Sequence, residues 1–216
     1  MTTRTRWFLV AIITVPLAAS ATISRHSGNK PKSVAGLHNG DILFQTLEGG
    51  QSDAIAQATG SPWTHVGVVF KEDGEWMVYE AVGPVKATPL PRWIAQGSKG
   101  HFVAKRYVSG PNGPLAEEQA RRVRSAMERF MGLAYDRRFD WSDERIYCSE
   151  LVWKAYAEGI GVELCSPRPM RDHSLDSELV RRTMAERYGN APPLDEPMIA
   201  PGALFDCPLL ITILER

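Results

Sequence analysis

The chain has 216 residues, 44% of them hydrophobic, which suits one globular domain with a full core. Its 25 basic and 25 acidic residues cancel, so no basic stripe marks a nucleic-acid partner and no single-sign field marks a polyanionic one. The five histidines are scattered and there is no CxxC or HExxH motif, so neither a metal nor any other cofactor is expected.

The first 21 residues differ from the rest. Arg4 and Arg6 precede an uncharged apolar run from Trp7 to Ala19, followed by Ala19-Ser20-Ala21. A basic start, a short apolar stretch and a small-x-small site read as a secretory signal cleaved after Ala21. The run is shorter than the ~20 residues of a membrane-spanning helix. A periplasmic or secreted product is expected; an uncleaved N-terminal anchor is the alternative. Residues 22–36 read as a mobile lead-in, and residues 37–216 as a single domain. In an oxidising compartment Cys165 and Cys207 are free to pair, leaving Cys148 as the odd thiol.

Gly40 to Phe44 reads as a first strand. Gln51 to Ala58 reads as a short helix, capped near Ser52 or Asp53 and ended by Gly60-Ser61-Pro62. Trp63–Phe70 and Glu75–Val82 flank Asp73-Gly74, a strong two-residue hairpin turn. With Asp73 and Gly74 at the turn, Glu72 faces Glu75, Gly67 faces Glu80 and His65 faces Val82. Side chains alternate along a strand, so His65, Gly67, Glu80 and Val82 share one face. Glu80 then lies diagonally from His65, roughly 7–8 Å away and within reach of a long side chain, with Gly67 leaving room between them. The hairpin is expected near the centre of the sheet.

Pro84 to Pro91 reads as an extended, proline-bounded segment and His101 to Val108 as a strand, followed by a loop over Ser109 to Pro114. Leu115 to Met131 is the longest amphipathic helix, with Ala120, Val123, Met127, Phe130 and Met131 on its apolar face. Glu117–Arg121 and Glu118–Arg122 support it at i,i+4. Gly132-Leu133-Ala134-Tyr135 leads through a polar loop to Tyr147-Cys148-Ser149-Glu150-Leu151-Val152. There Leu151, Val152, Ala155 and Tyr156 recur at helical spacing until Gly159 and Gly161. A helix around Ser174 to Tyr188, a proline-rich stretch and a strand over Leu209 to Leu214 complete the chain.

Cys148 opens its helix, where unpaired N–H groups and the helix dipole favour thiolate over a thiol of pKa ~8.5. The competing reading is a buried structural cysteine beside Leu151 and Val152.

Together these motifs resemble the papain-type cysteine hydrolases of the NlpC superfamily. Gly132-Leu133-Ala134-Tyr135 and Cys148-Ser149-Glu150-Leu151-Val152 match one half of the pattern. Trp63-Thr64-His65-Val66-Gly67-Val68 and Tyr79-Glu80-Ala81 match the other, but come first in the chain. That order resembles the circularly permuted amidases of the YiiX/YebB-like branch. The resemblance implies an α+β fold, a small antiparallel sheet or open barrel with the nucleophile helix packed against it. It implies Cys148 as nucleophile, His65 as base, Glu80 orienting His65, and an oxyanion or pocket role for Tyr135, Ser149 and Gly67. Glu150 stands where glycine is usual, which narrows the site beside the nucleophile. The His65 face of the hairpin is expected to look toward the Cys148 helix. The implied substrate is a peptide or a peptidoglycan stem peptide, cleaved at an amide. The alternatives are lipid-like amides or esters, as for lecithin:retinol acyltransferase-like relatives, and a silent binding module on the same fold.

Overall fold

The computed structural model describes residues 34–108 and 113–216. The stretch read as a secretory signal, most of the expected lead-in and part of the loop after Val108 lie outside the described residues. Val34, at the end of the lead-in, packs against the core.

The described residues form an open six-stranded antiparallel sheet with helices on both faces. In chain order the elements are β1 (Asp41–Gln45), α1 (Gly50–Thr59), β2 (His65–Glu72), β3 (Glu75–Ala81), β4 (Val85–Pro89), α2 (Leu90–Gln96) and β5 (Phe102–Tyr107). Then follow α3 (Glu117–Glu128), α4 (Cys148–Ile160), β6 (Arg168–Pro169), α5 (Glu178–Tyr188), β7 (Pro197–Met198), α6 (Pro201–Phe205) and β8 (Leu210–Glu215). The sheet order β4-β3-β2-β1-β5-β8 places the hairpin beside the central strand, and leaves β4 and β8 as edges rather than closing a barrel.

The hairpin register is the one its turn residues specify: Glu72 faces Glu75 and Val68 faces Tyr79. Asp73 and Gly74 both take positive φ, as a type I′ turn requires. Helix α1 begins at Gly50 with no side-chain cap, so the expected Ser52 or Asp53 cap is absent; Ser52 is instead buried. Helix α2 occupies the end of the segment expected to be extended, because proline is well accommodated in a first helical turn, as Pro91 is here. Helix α3 stops at Glu128, which leaves Met131 exposed while Ala120, Val123, Met127 and Phe130 are buried. Within it Glu118 pairs with both Arg121 and Arg122 and Arg124 pairs with Glu128, so Arg121 is held by Glu118 at i,i+3 rather than by the expected Glu117.

Alternation along the hairpin divides two cores. Val66, Val68, Phe70, Tyr79 and Ala81 pack with Leu151, Val152 and Ala155 of α4. Val69 and Val78 pack on the other side with Leu90 and Trp93 of α2. Helix α4 runs through Gly159 and ends at Gly161, which caps it in the left-handed conformation. Gly159 is a packing residue: a Cβ there would lie 2.9 Å from the backbone N and Cα of Val123 in α3. At the other end of the sheet, Asp41 accepts two hydrogen bonds from Arg106 at 2.7 and 2.8 Å and one from the His38 amide at 2.7 Å. Asp41 thus anchors the start of β1.

Candidate active site

Cys148 is the first residue of α4, preceded by Tyr147 in an extended conformation. The N–H groups of this first turn have no acceptor within the helix. The two residues flanking the thiol fix the chain opposite it. The Ile199 amide donates to the Tyr147 hydroxyl at 3.2 Å, and the Ser149 hydroxyl donates to the Ile199 carbonyl at 2.8 Å. Both backbone groups of Ile199 are thereby held against the N-terminus of α4.

His65 is the first residue of β2 and is buried. By alternation it belongs with Gly67 and Val69 on the face of the sheet away from α4, and its ring centroid lies 6.1 Å from that of Trp93. The expected orientation of the His65 face toward the Cys148 helix is therefore corrected. The two residues meet because His65 sits at the very start of its strand, where the thiol reaches round to the imidazole. Cys148 hydrogen-bonds the His65 ring, and the backbone N–H of Val66 donates to the sulfur.

The other side of the ring is held by Glu80 of β3. His65 Nε2 is 2.6 Å from Glu80 Oε2, so Nδ1 is the nitrogen left for sulfur. The second carboxylate oxygen accepts from Thr88 Oγ1 at 2.6 Å, and Glu80 and Thr88 are both buried. Thr88 lies two residues along β4 from Lys86, which faces Glu80. Its role depends on the β3–β4 register, and a segment read only as extended did not carry that register. Gly67 lies beneath this pair. A Cβ there would come within 2.6 Å of the Val78 side chain and 3.4 Å of Glu80 Cβ. Gly67 therefore lets β2 and β3 close under Glu80; it lines no part of the cavity beside the thiol.

The electrostatics follow from these contacts. Burial alone would push the Cys148 thiol up, but the hydrogen bond and charge of His65 outweigh it and hold the thiol below its ordinary value. Burial would lower His65, yet its bonds to Cys148 and Glu80 raise it to about 9. Glu80 is held below the usual carboxylate range: burial opposes ionisation, but the bond to His65 outweighs it. The favoured state is thus a thiolate beside an imidazolium. Ser149 also lies beside the sulfur, but its single proton is committed to Ile199.

Tyr135 places its hydroxyl at the sulfur, and Gln51 Nε2 lies 3.3 Å from that hydroxyl. Burial holds the phenol well above its ordinary value, so it remains a proton donor. Glu150 turns away from the site. It is fully buried, its Oε2 accepts from the Tyr147 amide at 3.4 Å, and its Oε1 is 2.8 Å from Lys154 Nζ without the alignment of a hydrogen bond. It acts as half of a capping box and does not narrow the cavity.

An apolar cavity opens on Cys148. Its walls come from α1 (Ala54, Ile55, Ala58), from α5 (Val180, Met184), and from Met170, Met198 and Ile199 on the β6–β7 ribbon side. A second, more polar cavity opens on His65 and is lined by Ser52, Thr64 and Arg137; Gln51, Ile55 and Tyr135 line both. The sequence placed none of the α5 wall, because a helix read only by its span, around Ser174 to Tyr188, does not show which element it packs against. Cys165 and Cys207 are free, so the bridge left open in the sequence is not formed.

Comparison with known proteins gives the family of the chain. Residues 36–214 match the family described as permuted papain-like amidase enzymes, YaeF/YiiX, C92 family. The uncharacterized protein YiiX of Escherichia coli K12 is 41% identical over 177 residues, covering 82% of this chain and 86% of that protein. A crystal structure described as metalloprotein YiiX from Escherichia coli O157:H7 is 40% identical, has a TM-score of 0.78, and covers 82% of this chain and 97% of its own. Among the described residues here, no group of three or more His, Cys, Asp or Glu side chains is gathered to hold a metal ion. The chain belongs to the permuted papain-like amidase family.

Proposed function

We propose that the protein is a cysteine amidase that cleaves N-acyl amides carrying an apolar acyl group. The observation that carries this reading is the Cys148–His65–Glu80 chain of hydrogen bonds ending in the apolar cavity beside the sulfur. The Cys148 thiolate adds to the carbonyl carbon, forming the C–S bond. The oxyanion meets the Tyr135 hydroxyl and the free N–H groups at the start of α4. The C–N bond then breaks as the His65 imidazolium gives its proton to the leaving amine. Neutral His65 next takes a proton from water, the hydroxide attacks the thioester, and the C–S bond breaks to return thiolate and imidazolium. Glu80 keeps the imidazole oriented through both steps, with Thr88 fixing the carboxylate.

The stem-peptide substrate implied by the sequence resemblance is polar and charged, and it would lose hydration in this cavity without gaining partners. An aliphatic chain gains free energy by leaving water there. That observation favours the lipid-like alternative for the acyl part while retaining amide cleavage. The leader read in residues 1–21 supports an activity outside the cytoplasm as part of this proposal, and the intact mass of protein purified from its native host tests that point.

The direct test is hydrolysis of decanoyl-aminomethylcoumarin, compared with acetyl-aminomethylcoumarin and purified peptidoglycan fragments. The decanoyl amide should be turned over with a mass increment of one decanoyl group trapped on Cys148, and Cys148→Ala should abolish both. Preferred turnover of peptidoglycan fragments would reject the apolar assignment.

A further inference from the structure

The two cavities divide unequally across the reacting pair. Cys148 lines the apolar one and not the polar one, whereas His65 lines the polar one and not the apolar one. Acyl transfer to sulfur gives this division a chemical meaning. The acyl group stays bonded to Cys148, so its chain belongs in the cavity that opens on sulfur. The leaving amine takes its proton from His65, so it belongs in the cavity that opens on the imidazole.

The polar cavity has an unbalanced charge. Apart from His65, Arg137 is the one charged side chain in its wall, and no acidic residue lines it. Arg137 makes no ion pair with any described residue. A second guanidinium, Arg187, stands in the wall of the apolar cavity beside Tyr135, the residue shared by both, with its Cζ 5.2 Å from the Phe139 ring centre. It too lacks a carboxylate partner among the described residues. Burial first, and the positive charge of Arg137 in addition, hold Arg187 below its ordinary value. Two cations without carboxylate partners, Arg137 exposed and Arg187 half-buried, flank one tyrosine and leave a place where an incoming anion relieves their repulsion. An ammonium group there would find no counter-charge.

We propose that the amine half of the substrate carries an anionic group, a carboxylate or a phosphate, and that Arg137 binds it in the cavity on the His65 side. The inference rests on the amidase reading for the direction of acyl transfer. It narrows the substrate class to N-acyl amines with an acidic amine part, such as N-acyl amino acids or N-acyl aminoalkyl phosphates. Arg137 is then the determinant of leaving-group specificity, and Arg187 strengthens the field at the junction.

The test uses four decanoyl amides that differ only in the amine: glycine (carboxylate), 2-aminoethyl phosphate, ethanolamine (neutral) and ethylenediamine (cationic). Binding to Cys148→Ala protein is measured by titration calorimetry, and turnover by the unaltered protein is followed by amine release. The anionic amides should bind about tenfold more tightly than the neutral one, as expected for a charge-assisted hydrogen bond, with the cationic amide weakest. Whichever of the carboxylate and the phosphate binds more tightly identifies the anion. Adding Arg137→Ala should bring the anionic amides down to the neutral one through KM rather than kcat, and Arg137→Lys should keep part of the preference. Equal affinity across the series, a preference that survives Arg137→Ala, or binding of none of the four overturns the proposal. Selective binding without turnover would leave the anion site standing and reject the hydrolase reading. Turnover of all four amides without charge preference would do the reverse.

Discussion

Glu80 and His65 stand 2.6 Å apart on neighbouring strands, both buried, and the carboxylate oxygen that does not touch the ring is taken by Thr88. The carboxylate therefore has one rotamer and the imidazole one orientation, with Nδ1 left for the sulfur. Positioning of this kind costs nothing at the moment of reaction, because the hydrogen bonds are already made.

Replacing Glu80 by Gln keeps the shape and removes the charge. His65, raised to about 9 partly by Glu80, should titrate lower, and the alkaline limb of kcat/KM should move down with it. Activity should fall by about 10²-fold or more, the scale of acid–base catalysis. Thr88→Val should produce a smaller loss with the alkaline limb shifted in the same direction. A pH–rate profile of both variants checks this; an unchanged limb in Glu80→Gln would remove Glu80 from the pathway.

Thiol reactivity provides an independent measure. Cys148 is held below its ordinary value by His65, while burial pushes Cys165 up to about 12 and also raises Cys207. Iodoacetamide, read by peptide mass spectrometry across pH, should modify Cys148 first and well below pH ~8.5. In His65→Ala the burial penalty is no longer offset, so the alkylation midpoint should rise. Alkylation of Cys165 ahead of Cys148 at neutral pH would contradict the ion-pair assignment.

Much of this was legible in the sequence for local reasons. Asp73-Gly74 sets the hairpin register, which puts Glu80 within reach of His65, and the apolar spacing after Cys148 sets α4. What stayed hidden depends on longer-range geometry. Alternation says that His65 and Glu80 share a face, but not that this face packs on Trp93 while Cys148 approaches round the strand end. Thr88 needed the β4 register, which depends on the turn at Gly83-Pro84. Gly159 looked like a helix stop because its packing partner, the backbone of Val123, lies on another helix. The cavity walls are drawn from α1, α5 and the segment around Ile199, and no local periodicity joins three such distant pieces.

The contact between α3 and α4 at Gly159 can be tested by volume alone. Alanine would drive a Cβ to 2.9 Å from backbone atoms of Val123, and backbone cannot rotate aside as a side chain can. Gly159→Ala should lower stability by about 1–3 kcal/mol, the usual cost of overpacking, despite the better helix propensity of alanine. Because the clash is with backbone, adding Val123→Ala should give no rescue. Urea midpoints of the two single variants and the double variant measure this; a rescued double variant would place the contact on the Val123 side chain.

Glu150 should give the protein a pH-dependent stability separate from catalysis. Its carboxyl is fully buried, and burial, only partly offset by Lys154 and the Tyr147 amide, raises it from 4.5 to about 7. In the unfolded chain it returns to the ordinary carboxylate range. Between these values the folded state holds a proton that the unfolded state has released, so stability falls as pH rises. The contribution is fully present below about pH 4.5 and gone above about pH 7, a difference on the order of 3 kcal/mol. Glu150→Gln has no proton to lose. Its stability relative to the parent should therefore climb steadily through this window and level off above it. Lys154 does not disturb the comparison, because it stays charged beside Asp143, 2.6 Å away, and its own pKa is raised further from the window. Chemical denaturation of both proteins from pH 4 to 8 gives the difference directly, with the many carboxylates common to both cancelling. A flat difference across that range would mean that Glu150 is ionised in the folded protein throughout, with Lys154 neutralising it fully.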